Sequence, residues 1–135
     1  MREGRWPVAT DDADLEPYLA GLPATCAEMF WRFTGMARAC GPITFELQKG
    51  PIVLCGTRRI FASVRVGVAG LDGHLNLPRE ITDRRIVKAE PLTKRLYFHR
   101  YRVTVMDDLD EEFGAWVCEA RDIGDGAHLS SPPSA

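Results

Sequence analysis

The chain has 135 residues, of which 45% are hydrophobic and 27% charged, and its formal net charge is −2. This length and composition predict a single domain, and no apolar run approaches the roughly 20 residues of a membrane-spanning helix. The N-terminal stretch lacks the apolar segment of a secretory signal, so we expect a cytoplasmic protein without membrane contact.

Two helices are predicted before the first strand. Residues 10–19 offer Thr10 or Asp11 as an N-cap and form a short helix. Residues 24–40 carry apolar side chains at spacings of three and four, which is typical of a helix with one buried face. These apolar positions are Cys26, Met29, Phe30, Phe33, Met36, Ala37 and Cys40.

After Pro42 the apolar period changes from 3.6 to 2, which indicates strands. Residues 43–48 alternate, residues 52–55 form a continuous apolar run, and residues 59–66 alternate again, so two successive antiparallel hairpins are predicted. Alternation on the third strand separates an apolar face from a basic one that carries an aromatic ring. The predicted basic face consists of Arg59, Phe61, Ser63 and Arg65.

The second half of the chain predicts three more strands and a last helix. Short strands are expected at residues 74–77 and 85–89, and a longer one, rich in aromatic and β-branched residues, at 96–105. Asp107 is the predicted N-cap of the helix. The apolar stripe of this helix is Leu109, Phe113, Trp116, Val117 and Ala120.

The order of elements predicts a two-layer α+β fold. An antiparallel sheet of four to six strands is packed by the N-terminal helices and by one C-terminal helix. We predict an N-terminal extension over residues 1–9, a single domain over 10–125 and a disordered tail over 126–135, where Ser and Pro replace apolar residues.

As a set, these elements resemble an uncharacterised bacterial family, the domain of unknown function 5655, over residues 15–123. The resemblance is carried by the strand from Arg59 to Val64, by His99, Arg100 and Arg102, by the helix start at residues 107–110, and by Trp116, Glu119 and Ala120. The chain departs from the family at Arg121, where an aromatic ring is expected. The resemblance implies a fold and no established activity.

The usual signatures of catalysis and metal binding are missing from the sequence. His74, His99 and His128 are far apart and none has the spacing of a metal ligand. Neither a phosphate-binding loop nor a nucleophile elbow is present. The cysteines form no C-x-x-C pair, and without a secretory signal we expect them to be reduced core residues, with a disulfide as the alternative. We therefore predict no catalytic residue, no metal and no cofactor.

Charge is sorted along the chain, which is the most informative feature of the sequence. Residues 49–105 hold twelve basic and four acidic residues, a net charge of +8, while the flanking segments are acidic. Arginines interleaved with Phe61, Tyr97 and Tyr101 have the composition with which a sheet holds phosphates and stacks bases. The predicted ligand-binding residues are Arg59, Phe61, Arg65, His99, Arg100 and Arg102.

Three interpretations of function stay open at this point. The first is a non-catalytic binding module for an anionic ligand, a nucleic acid or an acidic protein segment. The second is a small enzyme with a site near His99 and Glu46. The third is a structural domain that self-associates, for example as a homodimer. If acidic side chains pair with all the arginines, the first interpretation loses its basis.

Overall fold

The computed structural model describes residues 7–9 and 11–126, which form one antiparallel sheet with two α-helices packed against it. The α+β architecture predicted from the sequence is confirmed, with six strands in the sheet. Apart from residues 7–9 and Gly126, the predicted N-terminal extension and the predicted tail lie outside the described residues.

The strands follow the chain as a meander and then exchange the last two positions. They are β1 (Thr44–Leu47), β2 (Ile52–Cys55), β3 (Ile60–Gly67), β4 (Gly70–Leu77), β5 (Ile86–Pro91) and β6 (Tyr97–Val103). Their order in the sheet is β1-β2-β3-β4-β6-β5, with every neighbouring pair antiparallel. The predicted pair of hairpins is thus confirmed, and β6 lies between β4 and β5.

Residues 7–9 extend the sheet beyond β1. The Ala9 N–H donates to the Phe45 carbonyl at 2.9 Å, and the Leu47 N–H donates to the Pro7 carbonyl at 2.8 Å. Val8 is thereby paired with Glu46. Part of the backbone at this edge of the sheet is therefore satisfied.

Both helices, α1 (Ala24–Ala39) and α2 (Glu111–Gly124), cover the same face of the sheet. The ring of Tyr101 on β6 stacks with Phe33 of α1 at a centroid distance of 6.1 Å and meets Phe113 of α2 at 5.3 Å. We call this the inner face and the opposite one the outer face. The core lies between the helices and the inner face.

The first predicted helix is replaced by two 3-10 helices, Asp12–Asp14 and Glu16–Leu19. Pro17 has no N–H to donate and disfavours helical dihedrals in the residue before it, so a continuous α-helix cannot pass through this point. Asp11, one of the two predicted N-caps, accepts a backbone N–H of the first 3-10 helix.

The last helix begins later than predicted. Asp107 was expected to cap it, but Met106–Asp108 form a 3-10 helix and α2 begins at Glu111. The N-cap is Asp110, whose carboxylate accepts the Phe113 N–H at 2.9 Å. Asp110 follows the 3-10 helix with extended dihedrals, which an N-cap residue typically has.

A disulfide joins the two helices. Cys40, the C-cap of α1, is bonded to Cys118 of α2, with Cα atoms 5.1 Å apart. The prediction that all four cysteines are reduced is therefore wrong for this pair, while Cys26 and Cys55 are free and buried. The apolar stripes of the helices were visible in the sequence, but not that their two cysteines lie against each other.

Candidate ligand-binding face

Three exposed arginines lie together on the outer face, on β3 and β6. We call their surroundings the arginine patch. It consists of two cross-strand rows, Arg65, Asp72 and Arg102 in the first row, and Ser63, His74 and Arg100 in the second. Neighbouring strands are about 4.8 Å apart, and positions two apart along a strand about 7 Å, so the patch is roughly 10 Å wide and 7 Å long.

The three arginines of the patch carry uncompensated charge. Over residues 7–9 and 11–126, the side chains of Arg65, Arg100 and Arg102 make no ion pair and no hydrogen bond. Asp72 lies between Arg65 and Arg102 in the register and is the one acidic member of the patch. The described part of the patch thus holds three positive charges and one negative charge.

Most of the other arginines near the sheet are neutralised. Arg79 forms a bidentate salt bridge with Glu119 of α2, with N–O distances of 3.0 and 3.1 Å. Arg84 contacts Asp108 at 2.7 Å, and Arg85 is enclosed by carboxylates. Acidic residues of the segment from 108 to 119 therefore pair with basic residues that precede β5. The alternative interpretation expected such pairing for all the arginines, but it does not include those of the arginine patch.

An aromatic pair borders the arginines. The rings of His74 and Phe98 are stacked, with centroids 4.8 Å apart and planes inclined by 10°. The Nδ1 atom of His74 is 2.7 Å from the Ser63 hydroxyl, which also accepts the His74 N–H. Burial lowers the pKa of His74 to about 4. The imidazole is therefore neutral near pH 7 and adds no charge to the patch.

The contact between Ser63 and His74 does not make an activated nucleophile. A general base works best with a pKa near the operating pH, and a pKa of about 4 makes this imidazole a weak base. Within the described ranges, no carboxylate hydrogen-bonds to the ring to orient it. This contact fixes the His74 ring in its stack with Phe98 and does not indicate catalysis.

Two shallow cavities open on this face and share one arginine. The first, of about 270 Å³, is lined by Pro51, Ser63, Arg65, Gly73, His74, Phe98 and Arg100. The second, of about 190 Å³, is lined by Arg65, Asp72, Arg102 and the turn between β3 and β4. Arg65 belongs to both, so a ligand that occupies either cavity meets it.

Half of the predicted ligand-binding residues lie in this patch. Arg65, Arg100 and Arg102 are brought together as predicted. Arg59 lies just before β3, at the opposite end of that strand from Arg65, and donates its backbone N–H to the Gly124 carbonyl at 3.1 Å. It is therefore outside the patch.

Phe61 was predicted on the basic face, and this is wrong. Its side chain is fully buried in the core. The register places Ile60 opposite Cys55 and Ala62 opposite Leu54, so Phe61 is the extra residue of a β-bulge. A bulge reverses the facing of the residues around it, which sends this ring inward.

His99 was predicted to contact a ligand, and this is also wrong. It lies on the inner face and is fully buried. Its Nε2 atom accepts the Ile81 N–H at 2.9 Å, and Nδ1 is 3.2 Å from the Tyr97 carbonyl. Burial lowers the pKa of this imidazole. Both ring nitrogens are satisfied in the neutral form, so His99 holds the segment before β5 against the sheet.

The structure does not assemble the second predicted site. Glu46 on β1 pairs with Val53 and so shares the side of the sheet that carries Ser63 and His74, while His99 is on the inner face. Strands β2, β3 and β4 lie between them. No reacting group can contact both side chains.

The stacked pair of His74 and Phe98 was not predicted from the sequence. Tyr97 and Tyr101 were expected beside Arg100 and Arg102, but Tyr101 is fully buried on the inner face. Alternation along β6 puts odd-numbered residues inward, so Phe98 is the ring that shares a face with the arginines. Strict use of the two-residue period would have found it.

Comparison of the chain with protein-family models, with curated proteins and with solved structures finds no match. The resemblance described above therefore stays a prediction. Within residues 7–9 and 11–126, no helix is long and apolar enough to cross a membrane. The same residues contain no group of three or more His, Cys, Asp or Glu side chains arranged to hold a metal ion.

The lowered pKa values of His74 and His99 predict a loss of stability in mild acid. The folded-state pKa of His74 is about 4 and its ordinary value is 6.5, so between these values the unfolded chain binds a proton that the folded protein does not. The contribution of the neutral ring is present above pH 6.5 and is lost as the pH falls to 4, by about 3 kcal/mol. Urea unfolding at several pH values measures it.

The variant His74→Asn separates this effect from other acid titrations. It removes the titrating ring, and the free energy of unfolding should then fall less steeply between pH 6.5 and 4, with a remaining slope from His99. Equal slopes for the variant and the natural chain would contradict the prediction.

Proposed function

We propose that the protein is a non-catalytic binding module that holds an anionic ligand on its outer face, at the arginine patch. The observation that carries this proposal is the exposure of Arg65, Arg100 and Arg102 on one open surface, none of them ion-paired within the described ranges. Guanidinium groups donate paired hydrogen bonds to phosphate and carboxylate oxygens, and such charge-assisted bonds are stronger than neutral ones.

The charge distribution favours a local site over a generally basic surface. The chain as a whole has a net charge of −2, so long-range attraction for polyanions is weak. The patch has a net charge of +2 from three arginines and Asp72, because His74 is neutral. An anion is therefore held by short-range contacts at this place.

The test uses inorganic polyphosphate as the probe and calorimetry as the readout. Arg65→Ala should weaken binding about tenfold, the equivalent of one lost charge-assisted contact, because Arg65 lines both cavities. Asp72→Asn should strengthen binding, since it removes the one acidic group of the patch. A gain of affinity cannot result from misfolding.

Lys94→Ala is the matched control, because it removes one exposed positive charge outside the patch. It should leave the affinity unchanged. Affinity should also fall as the salt concentration rises from about 50 to about 200 mM. An affinity that changes neither with the salt concentration nor with the substitutions at Arg65 and Asp72 would contradict the proposal.

The finer expectations about location and assembly stay predictions. The disulfide between Cys40 and Cys118 argues against the cytoplasm, because such bonds are rare in reducing compartments. Self-association is supported by the edge position of β5, which exposes Val87, with Leu92 exposed just after it. The sheet edge and the arginine patch are separate surfaces, so the two functions do not exclude each other.

A further inference from the structure

We infer that the ligand of the arginine patch is a single-stranded nucleic acid, one base of which stacks on the ring pair formed by His74 and Phe98. This ligand class rests on the anion-binding role proposed above and makes it more specific. What distinguishes a nucleic acid from other anions is that it carries flat aromatic groups beside its phosphates.

The ring pair is the feature that a simple anion leaves unused. The two rings are nearly parallel and lie on the open outer face, where Phe98 is only half-buried. The imidazole is uncharged, so the pair presents apolar ring surface within a polar patch. Polyphosphate or an acidic peptide gains nothing from such a surface, whereas every nucleobase has a face that stacks on it.

The arginines lie where they can bind the phosphates next to a base that stacks on the ring pair. Arg100 shares a row with His74, and Arg102 lies two residues further along β6, about 7 Å away. Arg65 lies across the patch on β3. Phosphates on either side of a stacked base thus come within reach of guanidinium groups, with Asp72 limiting how many phosphates the patch accepts.

The positions of the two cavities indicate the path of a bound strand across the outer face. The larger one joins the ring pair to Arg65 and Arg100. The smaller one continues from Arg65 to Arg102 and the β3–β4 turn. A strand that lies along both passes from the rings to a surface with two arginines, Asp72 and apolar residues of the turn. One base is then bound by stacking, and its neighbour mainly through contacts of its phosphate with the arginines.

A double helix does not fit this site. Its bases are already stacked on each other and their faces are not available to a protein ring. A duplex therefore interacts with the arginines alone. The structure predicts that a single strand with bases binds more tightly than the same chain without bases, and that a duplex gains no affinity from the ring pair.

The experiment compares probes of equal charge. A fluorescent oligothymidylate, an abasic oligomer and a short duplex, all with the same total number of phosphates, are titrated by anisotropy. Oligothymidylate should bind at least about fivefold more tightly than the abasic oligomer, the lower end of what one stacked base supplies. Poly-glutamate should compete poorly with it.

Substitutions then separate the rings from the charges. Phe98→Leu keeps apolar volume without a ring, and it should abolish the preference for bases while leaving the affinity for the abasic oligomer unchanged. Phe98→Trp should restore or increase the preference. Arg65→Ala should weaken both oligomers, and Lys94→Ala neither.

Each outcome decides between the two levels of the proposal. Equal binding of oligothymidylate and the abasic oligomer, or equal competition by poly-glutamate, overturns the nucleic-acid inference and leaves the anion-binding function standing. Binding of polyphosphate that depends on Arg65, without binding of oligothymidylate, does the same. Failure of all anions to bind overturns both.

Discussion

Replacing Arg85 by alanine is expected to lower the free energy of unfolding by about 3 kcal/mol. The guanidinium is only 4% exposed and lies within 2.9 Å of carboxylate oxygens of Asp83, Asp110 and Glu112. It also donates to the Asp108 carbonyl at 2.9 Å. One side chain thus ties the entry of β5 to the start of α2, and its loss leaves a buried carbonyl without a donor.

The Arg85 side chain also packs against the ring of Trp116. Its guanidinium carbon lies 4.7 Å from the ring centroid of Trp116, so alanine leaves part of that ring uncovered. Arg85→Met separates the two contributions, because methionine fills the space without donating hydrogen bonds. We expect Arg85→Met to lower the free energy of unfolding, but by less than Arg85→Ala does.

Lys88→Ala is the control for the loss of a basic residue, three positions further along on β5. Lys88 is paired with Glu90 at 3.5 Å, but both side chains are at least half exposed. Exposed pairs contribute about 0 to 1 kcal/mol, so this variant should unfold at nearly the same urea concentration as the natural chain. If Arg85→Ala also left the unfolding midpoint unchanged, the network would be a surface feature without energetic weight.

Arg85 also controls part of the acid response. Its hydrogen bond to the Asp83 carboxylate lowers the pKa of that group. A carboxyl with a lowered folded-state pKa contributes stability that is present above its ordinary pKa and is lost as the pH falls through the folded value. Arg85 variants should therefore lose less additional stability in strong acid than the natural chain does.

The periodic parts of this fold were predictable because they are local. The buried stripe of α1 and the continuous apolar run of β2 appear in the sequence at the positions where the structure has them. Whether such a segment forms a helix or a strand depends on the spacing of its own apolar residues, so it can be predicted from a short stretch of sequence. The start of α2 was misplaced because three aspartates, Asp107, Asp108 and Asp110, are candidates for one N-cap, and the outcome depends on the 3-10 helix that follows β6.

The candidate site was predictable only in part, since it depends on contacts between distant segments. Alternation placed Arg65, Arg100 and Arg102 on strands, but only the register brings β3 and β6 to either side of β4. The pairing of Arg79 with Glu119 and the isolation of Arg100 are equally invisible in the sequence. Charge sorting predicted a basic sheet, and tertiary structure decided which of its charges remained uncompensated.

Phe61 illustrates a different kind of failure. Alternation through β3 assigns it to the outer face with Arg65, and a single bulge reverses that assignment. The bulge accompanies the close approach of Gly56 and Gly124, where a Cβ on Gly124 would lie 2.7 Å from the Phe61 ring. A one-residue irregularity of this kind has no periodic signal, although the glycines mark its position.

Reducing the Cys40–Cys118 disulfide is expected to lower the free energy of unfolding by about 4.5 kcal/mol. The bond closes a loop of 78 residues, and the chain entropy that it removes from the unfolded state grows with the logarithm of loop length. Urea unfolding with and without a reductant measures the difference. A thiol assay in denaturant should find two free thiols, Cys26 and Cys55, before reduction and four after it.

The double variant Cys40→Ser and Cys118→Ser shows whether the reductant acts through this bond. It should match the reduced natural chain in stability and should not respond to the reductant, since its remaining cysteines are unpaired. An unchanged midpoint for the natural chain on reduction would mean that packing between the helices alone holds them together. Because the disulfide lies in the helical layer and the arginines on the outer face, reduction should leave the affinity for anions intact under conditions in which the domain stays folded.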